Sequence, residues 1–427
     1  MARTSNKKPP KRAVVAKPHP FFAKKTPAIL DPDALKQAFQ VAYDAKRFVE
    51  AREIALSFAS TYPQVGQAWS DASVCSVYLE DWQLAIDYGL RAVRLMPNHP
   101  STLDALAHAY GAIFDWVNVQ KYGVRSLIQG DIKFGQNFYR PWVKPPTPIF
   151  NHDAHKNIIS FSLFGGNSKY GETAVLNVID QPHIYPGWTC RFYIDDTVPE
   201  HIVGRLRHYG AQVVMVDEVL KKWPAPMWRF AAYDDPEVDR VIFRDADSVI
   251  SEREAGAVRE WIQSGQAFHM MRDGGSHTEL ILAGLWGCVR GSLPPMIDMV
   301  NDFLKKPVDS QHFADQYFLR EYVWPYARQD ICQHDSLFGF MEGKPFPDGP
   351  HQDDFHTGYA EGSPFFSSEV DAPDGTVVHW TLYQRAGEAE QAICCYPATV
   401  QNKQIHAHLP QRYILRLEQD MLIRIEL

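Results

Sequence analysis

Two aspartates one residue apart, in Asp239-Arg-Val-Ile-Phe-Arg-Asp245-Ala246-Asp247-Ser248, carry the clearest chemistry in the sequence. Carboxylates at this spacing, placed where an apolar strand ends, can share a hard divalent cation such as Mn2+ or Mg2+ and so offset the charge of a diphosphate. The spacing alone is cheap. Asp31-Pro-Asp33 has it too, and there it reads as the start of a helical segment. What separates 245–247 is the strand before it, because a carboxylate pair buried in an α/β layer is costly unless a cation or an arginine pairs with it. A second candidate is Gly165-Gly166, which follows an earlier apolar run and precedes Tyr170. It reads either as a loop whose N–H groups approach a phosphate or sugar, or as a plain turn.

The elements that would position these residues alternate along the chain. Strand-like runs at Asn157-Ile-Ile-Ser-Phe-Ser-Leu, Cys190-Arg-Phe-Tyr-Ile and Gln212-Val-Val-Met-Val are separated by helical patterns over 172–179 and 199–209. That order predicts a mainly parallel sheet with helices on its faces, whose ligands bind at the carboxyl ends of strands. Residues 131–156 are rich in proline and aromatics, including Tyr139-Arg-Pro-Trp142, and form the expected linker to an α/β domain over 157–427. The alternating text of 412–427 predicts a closing β-hairpin.

At 427 residues the chain is too long for one ordinary domain. Its 45% hydrophobic content predicts that most of it folds. The first 30 residues carry eight Lys or Arg and no acid, so the rest is more acidic than the net charge of −8 suggests. An acidic body repels a phosphate backbone, which argues against nucleic-acid binding. The tail reads as a solvated arm and leaves peripheral attachment to an anionic membrane open. The longest apolar stretch, 280–289, is far too short to span a bilayer. Six cysteines without zinc spacing fit a reducing, cytoplasmic setting.

Over 31–130 a repeat emerges. Pro63 and Pro97 lie 34 apart, as do Ala51 and Ala85, and the same step relates Asp81-Trp82 to Asp115-Trp116 and Tyr88-Gly89 to Tyr122-Gly123. With Trp69, Ala85, Ala92 and Pro97, the segment resembles tetratricopeptide repeats. It departs from that pattern at Phe58, and at Asp131 where a third proline would stand, so the last unit is expected to cap against the next domain. Such an array presents a face to a protein partner or serves as a rigid spacer.

Residues 157–380 resemble the GT-A class of nucleotide-sugar glycosyltransferases, glycogenin-like retaining enzymes in particular. The resemblance rests on the Asp-x-Asp strand end, on Ile281-Leu-Ala-Gly-Leu-Trp-Gly287 and on Ala314-Asp315-Gln316. It implies an α/β, Rossmann-type mixed sheet, a nucleotide-sugar donor and a divalent metal. Asp247 would be the main metal ligand and Asp245 would contact metal or ribose. Arg229 and Arg244 would face the donor, together with Gly165 and Tyr170, while Asp315 and Gln316 would stand at the reacting carbon or the acceptor. A late histidine would complete the metal site, either His334 or, alternatively, His379; the remaining histidines, 152, 155, 351, 356, 406 and 408, are expected on loops or the surface. Arg229 in a structural salt bridge, Asp315 as a helix cap, and Trp188, Trp286 and Trp324 as core residues are the competing assignments. Fusion to such repeats implies work in surface-polysaccharide or glycoconjugate assembly on an acceptor the residues do not specify. Two further readings stay open: a nucleotidyltransferase, which wants a lysine near the first glycine loop, where Lys169 is nearest, and a non-catalytic scaffold.

Overall fold

The computed structural model describes residues 31–136, 141–308, 310–349, 356–387, 389–417 and 419–426. The basic tail, Tyr139, Arg140 and His351 lie outside them. Among the described residues no helix is long and apolar enough to cross a membrane.

The N-terminal region is a helical repeat. Helices α1 (Pro32–Asp44), α3 (Gly66–Tyr78) and α5 (Pro100–Ala112) begin at residues 32, 66 and 100, a constant step of 34. Their partners α2 (Phe48–Thr61), α4 (Trp82–Leu95) and α6 (Trp116–Phe134) keep the same step. Proline at the first position starts α1 and α5, where its missing N–H has no partner to lose. Small residues let the helices cross closely: Ala51, Ala85 and Ala92 are fully buried, and a Cβ on Gly89 would stand 2.7 Å from Leu106. Asp31 caps α1 by accepting from the Asp33 N–H, so this second Asp-x-Asp is structural.

The last repeat helix passes the expected boundary at 130 and fastens onto the next domain. Asp131, standing where the repeat pattern has proline, accepts from Trp324 Nε1 at 2.8 Å and from Arg328 Nε at 2.7 Å. Residues 141–153 have no regular structure, as their prolines predict, yet they are strapped to the α/β body through Trp142 Nε1 to the Ser292 carbonyl.

The α/β region contains β1 (Asn157–Leu163), α7 (Ser168–Ile184), β2 (Thr189–Ile194), α8 (Glu200–His208), β3 (Gln212–Met215) and β4 (Arg240–Arg244). It continues with α9 (Glu252–Ser264), β5 (Phe268–Arg272), β6 (Trp286–Val289), α10 (Met296–Phe303), α11 (Ala314–Phe318), α12 (Trp324–Ala327) and β7 (Ile331–Asp335). The strand order is β3-β2-β1-β4-β6-β5-β7. The sheet is mainly parallel, as expected, with four of its six strand pairings parallel; β6 makes it mixed by running antiparallel to both β4 and β5. A Cβ on Gly287 would meet the Val241 carbonyl at 2.8 Å, so glycine there is what lets β6 approach β4.

Two small sheets follow, built from β8 (Phe365–Glu369), β9 (Val377–Ala386), β10 (Ala389–Thr399) and β11 (Gln404–His408). The expected terminal hairpin is instead a short helix, α13 (Gln411–Ile414), followed by one strand, β12 (Met421–Glu426), which pairs with β9. Its alternation reports a strand with one buried face, and its partner lies earlier in the chain.

Gly123 on α6 sits against the Phe338 ring so closely that an added Cβ would fall 2.1 Å from it. Gly123→Ala is therefore expected to destabilise the junction by ~1–3 kcal/mol through overpacking, read as a lower urea midpoint. Unchanged stability would show that the repeat and the α/β body do not pack this way.

Candidate functional site

The chain leaves β1 toward β2 and β3 on one side and returns with β4 on the other, so the carboxyl ends of β1 and β4 border a topological switch point. Crevices form at such points because the outgoing connections diverge to opposite faces. A cavity of about 350 Å³ opens there. It is lined by Ser162 to Phe164 from the end of β1, by Asp245 to Asp247 after β4, and by Asp315 and Gln316 on α11. Arg229 and Tyr170 complete the group of expected residues that the fold brings together.

Arg229 lies in a 3-10 segment, Ala225–Asp234, packed behind β1. Its guanidinium joins the two acidic arms of the pocket: Nη1 donates to Asp245 Oδ1 at 2.5 Å and to the Arg244 carbonyl, and Nη2 donates to Asp315 Oδ2 at 2.8 Å. The Arg229 side chain is 3% exposed, Asp315 9% and Asp245 53%, so the clamp is buried on the Asp315 side and open on the Asp245 side. Burial works against the arginine charge, but attraction from Asp245 and Asp315 outweighs it and keeps the guanidinium protonated. Asp315 is raised above the usual carboxylate range, first by burial and then by Asp245, with Arg229 pulling the other way. The salt-bridge assignment of Arg229 matches this geometry.

The Ile281–Gly287 segment supports this arrangement with small residues. A Cβ on Gly284 would fall 2.0 Å from Asp245 Oδ2, so only glycine leaves room for that carboxylate. With its amide turned to suit both neighbours, Gln316 donates to the Ile281 carbonyl at 2.8 Å and accepts from the Ala283 N–H at 3.1 Å. Gln316 is a brace between α11 and this segment. Its own N–H donates to Asp315 Oδ1, so both oxygens of Asp315 are engaged.

Several important residues escape a reading of motifs. Lys169, on the first turn of α7, places Nζ 3.0 Å from Asp247 Oδ2. Burial opposes its charge, yet Asp247 raises its pKa overall. Phe164 and Tyr170 are both partly exposed beside the charged groups, and His312 and Phe313 form the far rim. Tyr170 was expected here; of the others only Lys169 had a signal in the sequence, its nearness to the glycine pair.

Other expected site residues stand elsewhere. Gly165 has φ +78°, and its N–H donates to Thr197 Oγ1, so it is a turn residue outside the cavity lining. Arg244 alternates to the opposite face from the pocket, where Nε donates to Glu254 Oε1 at 3.0 Å in a buried pair. His334 is on β7, fully buried, its ring nitrogens engaged by His269 at 3.0 Å and Glu260 at 3.1 Å. Burial lowers its pKa, which leaves a neutral ring in a structural network. His379 is exposed on β9 and does not line the cavity either. His406 and His408 belong to strand β11, His406 at the surface as expected and His408 half-buried, and Trp188, Trp286 and Trp324 are core residues.

A divalent ion held by this chain needs several oxygen or nitrogen ligands converging on one point. Asp245 and Asp247 are each bonded to a protein cation, neither candidate histidine is beside them, and no group of three or more His, Cys, Asp or Glu able to hold a metal exists among the described residues. The residues present do not fit the expected metal site.

No family model matches the chain, and no curated protein matches it. Solved structures similar to it include an O-GlcNAc transferase of Thermobaculum terrenum, 14% identical over 50% of each chain with a TM-score of 0.26. The chain thus spans about half the length of that protein. Another is the 4-diphosphocytidyl-2C-methyl-D-erythritol synthase of Anaerococcus prevotii, 9% identical, covering 43% of this chain and 88% of that one, with a TM-score of 0.27.

Removing the guanidinium leaves Asp315 buried with its charge uncompensated. Arg229→Met should cost ~3 kcal/mol of stability at pH 7, a value for a buried pair broken on one side, discounted because Asp245 is solvated. Since the pKa of Asp315 is raised, the carboxyl takes up its proton on modest acidification and the penalty shrinks. Urea unfolding at pH 7 and pH 4.5 checks this; equal losses at both would contradict the clamp.

Proposed function

We propose that the chain is a nucleotide-sugar glycosyltransferase with a GT-A arrangement, transferring a sugar from a nucleoside-diphosphate donor to an acceptor at the β1/β4 crevice. The observation that carries this reading is the clamp itself: a buried arginine between two carboxylates at the switch point of a mixed α/β sheet, opening on a cavity of about 350 Å³. Cavities of that size suit part of a small ligand, and the partly exposed Phe164 and Tyr170 offer ring faces on which a base can stack.

In this reading the β1 side takes the nucleotide and the α11 side takes the sugar. As the bond to the sugar breaks, negative charge grows on the departing diphosphate, and fixed positive groups nearby stabilise it without reorganising. Arg229 is held for that purpose by Asp245 and Asp315, and Gln316 fixes the distance between α11 and the 281–283 segment. Asp315 therefore positions the arginine.

One observation favours a second reading, nucleotidyl transfer: Lys169 reaches the Asp-x-Asp end from just beyond the glycine pair. The products separate the two. With a panel of nucleotide sugars, slow release of free nucleoside diphosphate from one donor is expected, and Arg229→Lys, which cannot span both Asp245 and Asp315 and so loosens the preorganised charges of the site, should lower that rate by about 100-fold. Pyrophosphate release from a nucleoside triphosphate would replace this reading with nucleotidyl transfer, and turnover of neither would leave a scaffold.

A further inference from the structure

We infer that Lys169 is the counter-charge for the donor diphosphate, its ammonium standing where the Asp-x-Asp pattern calls for a divalent ion. The inference rests on the nucleotide-sugar reading above.

Lys169 is built into the motif, not merely near it. Asn167 caps α7 by accepting from the Lys169 N–H at 2.8 Å. The Lys169 carbonyl accepts from Thr173 Oγ1 at 2.7 Å, and the same hydroxyl lies within bonding reach of the Ala246 carbonyl, inside the Asp-x-Asp turn. Gly362 closes the other side: its N–H donates to the Asp247 carbonyl at 3.1 Å, and a Cβ there would fall 2.1 Å from the Lys169 carbonyl. The backbone of Lys169 is thus locked to the turn that carries both aspartates, while its side chain is 22% exposed.

The two cations of the site differ in what they can release. Arg229 is shared between Asp245 and Asp315, and its donors on Nη1 and Nη2 are directed at those carboxylates and at a carbonyl. Lys169 stands behind the cavity lining with one carboxylate partner, Asp247, which does line it, and an ammonium can redirect a hydrogen bond to a phosphate arriving at Asp247 while keeping that partner. The start of α7 adds the partial positive charge of a helix N-terminus beside it. Asp247 then competes with the diphosphate for the ammonium instead of bridging to it through a metal.

This reverses the sign expected of an aspartate substitution. Calorimetry with UDP, GDP, ADP and CDP, in EDTA and again with Mn2+, is run on the full chain and on variants checked by thermal melting. Binding of one nucleotide in EDTA is expected. Lys169→Ala and Lys169→Gln should weaken it at least about tenfold, the scale of a lost charge-assisted hydrogen bond, and Lys169→Arg should restore most of it. Asp247→Asn should tighten it. Binding only with Mn2+, binding indifferent to Lys169→Ala, or loss of binding in Asp247→Asn would each overturn the inference while leaving the nucleotide-sugar reading in place. Binding of no nucleotide under any condition would overturn both.

Discussion

One guanidinium holds the site together. Arg229 must satisfy a carboxylate at the end of β4, 16 residues after it, and another on α11, 86 residues after it, and it does so from a buried position where an unpaired charge is costly. The constraint extends outward. Asp245 can reach the arginine because residue 284 has no side chain, and Asp315 can because Gln316 ties α11 to the 281–283 segment. The switch point of the sheet supplies the opening, and the clamp fixes which charges face it.

The helical repeat is joined to that same segment. Thr278 Oγ1 donates to Asp104 on α5, Gly111 and Gly275 meet backbone to backbone, and Asp131 grips Trp324 and Arg328 just past the α11 helix. From Thr278 the chain runs five residues to Ala283, which lines the cavity. Between them Glu279 stands in a cleft facing the repeat, where burial pushes its carboxyl up to about 7 despite Arg320 nearby. The repeat is therefore part of the wall behind the site. An independent spacer would touch the 278–283 segment at no such point.

How far the sequence disclosed this depends on the range over which each feature is encoded. The repeat was readable because its 34-residue step is carried by side chains that each helix pair needs locally, such as Ala51, Ala85 and Gly89. The strands up to β4 were readable from their apolar runs. Strand β7 was not, because Gln333, His334 and Asp335 are polar yet buried, and their partners, including His269 and Glu260, come from distant positions. Arg244 and Asp245 are adjacent in sequence but face opposite ways, a distinction set by strand alternation that a motif does not show. The Lys169 to Asp247 pair spans 78 residues and depends on how α7 lies against the turn, so no spacing rule could reveal it.

The most direct measurement is a diffraction structure of crystals soaked with the nucleoside diphosphate that binds most tightly. The account predicts the base beside Phe164 and Tyr170 and the diphosphate at the carboxyl ends of β1 and β4, against Lys169. A nucleotide seated outside that crevice, or a crevice in which the Arg229 clamp is broken with Asp245 and Asp315 turned apart, would contradict it.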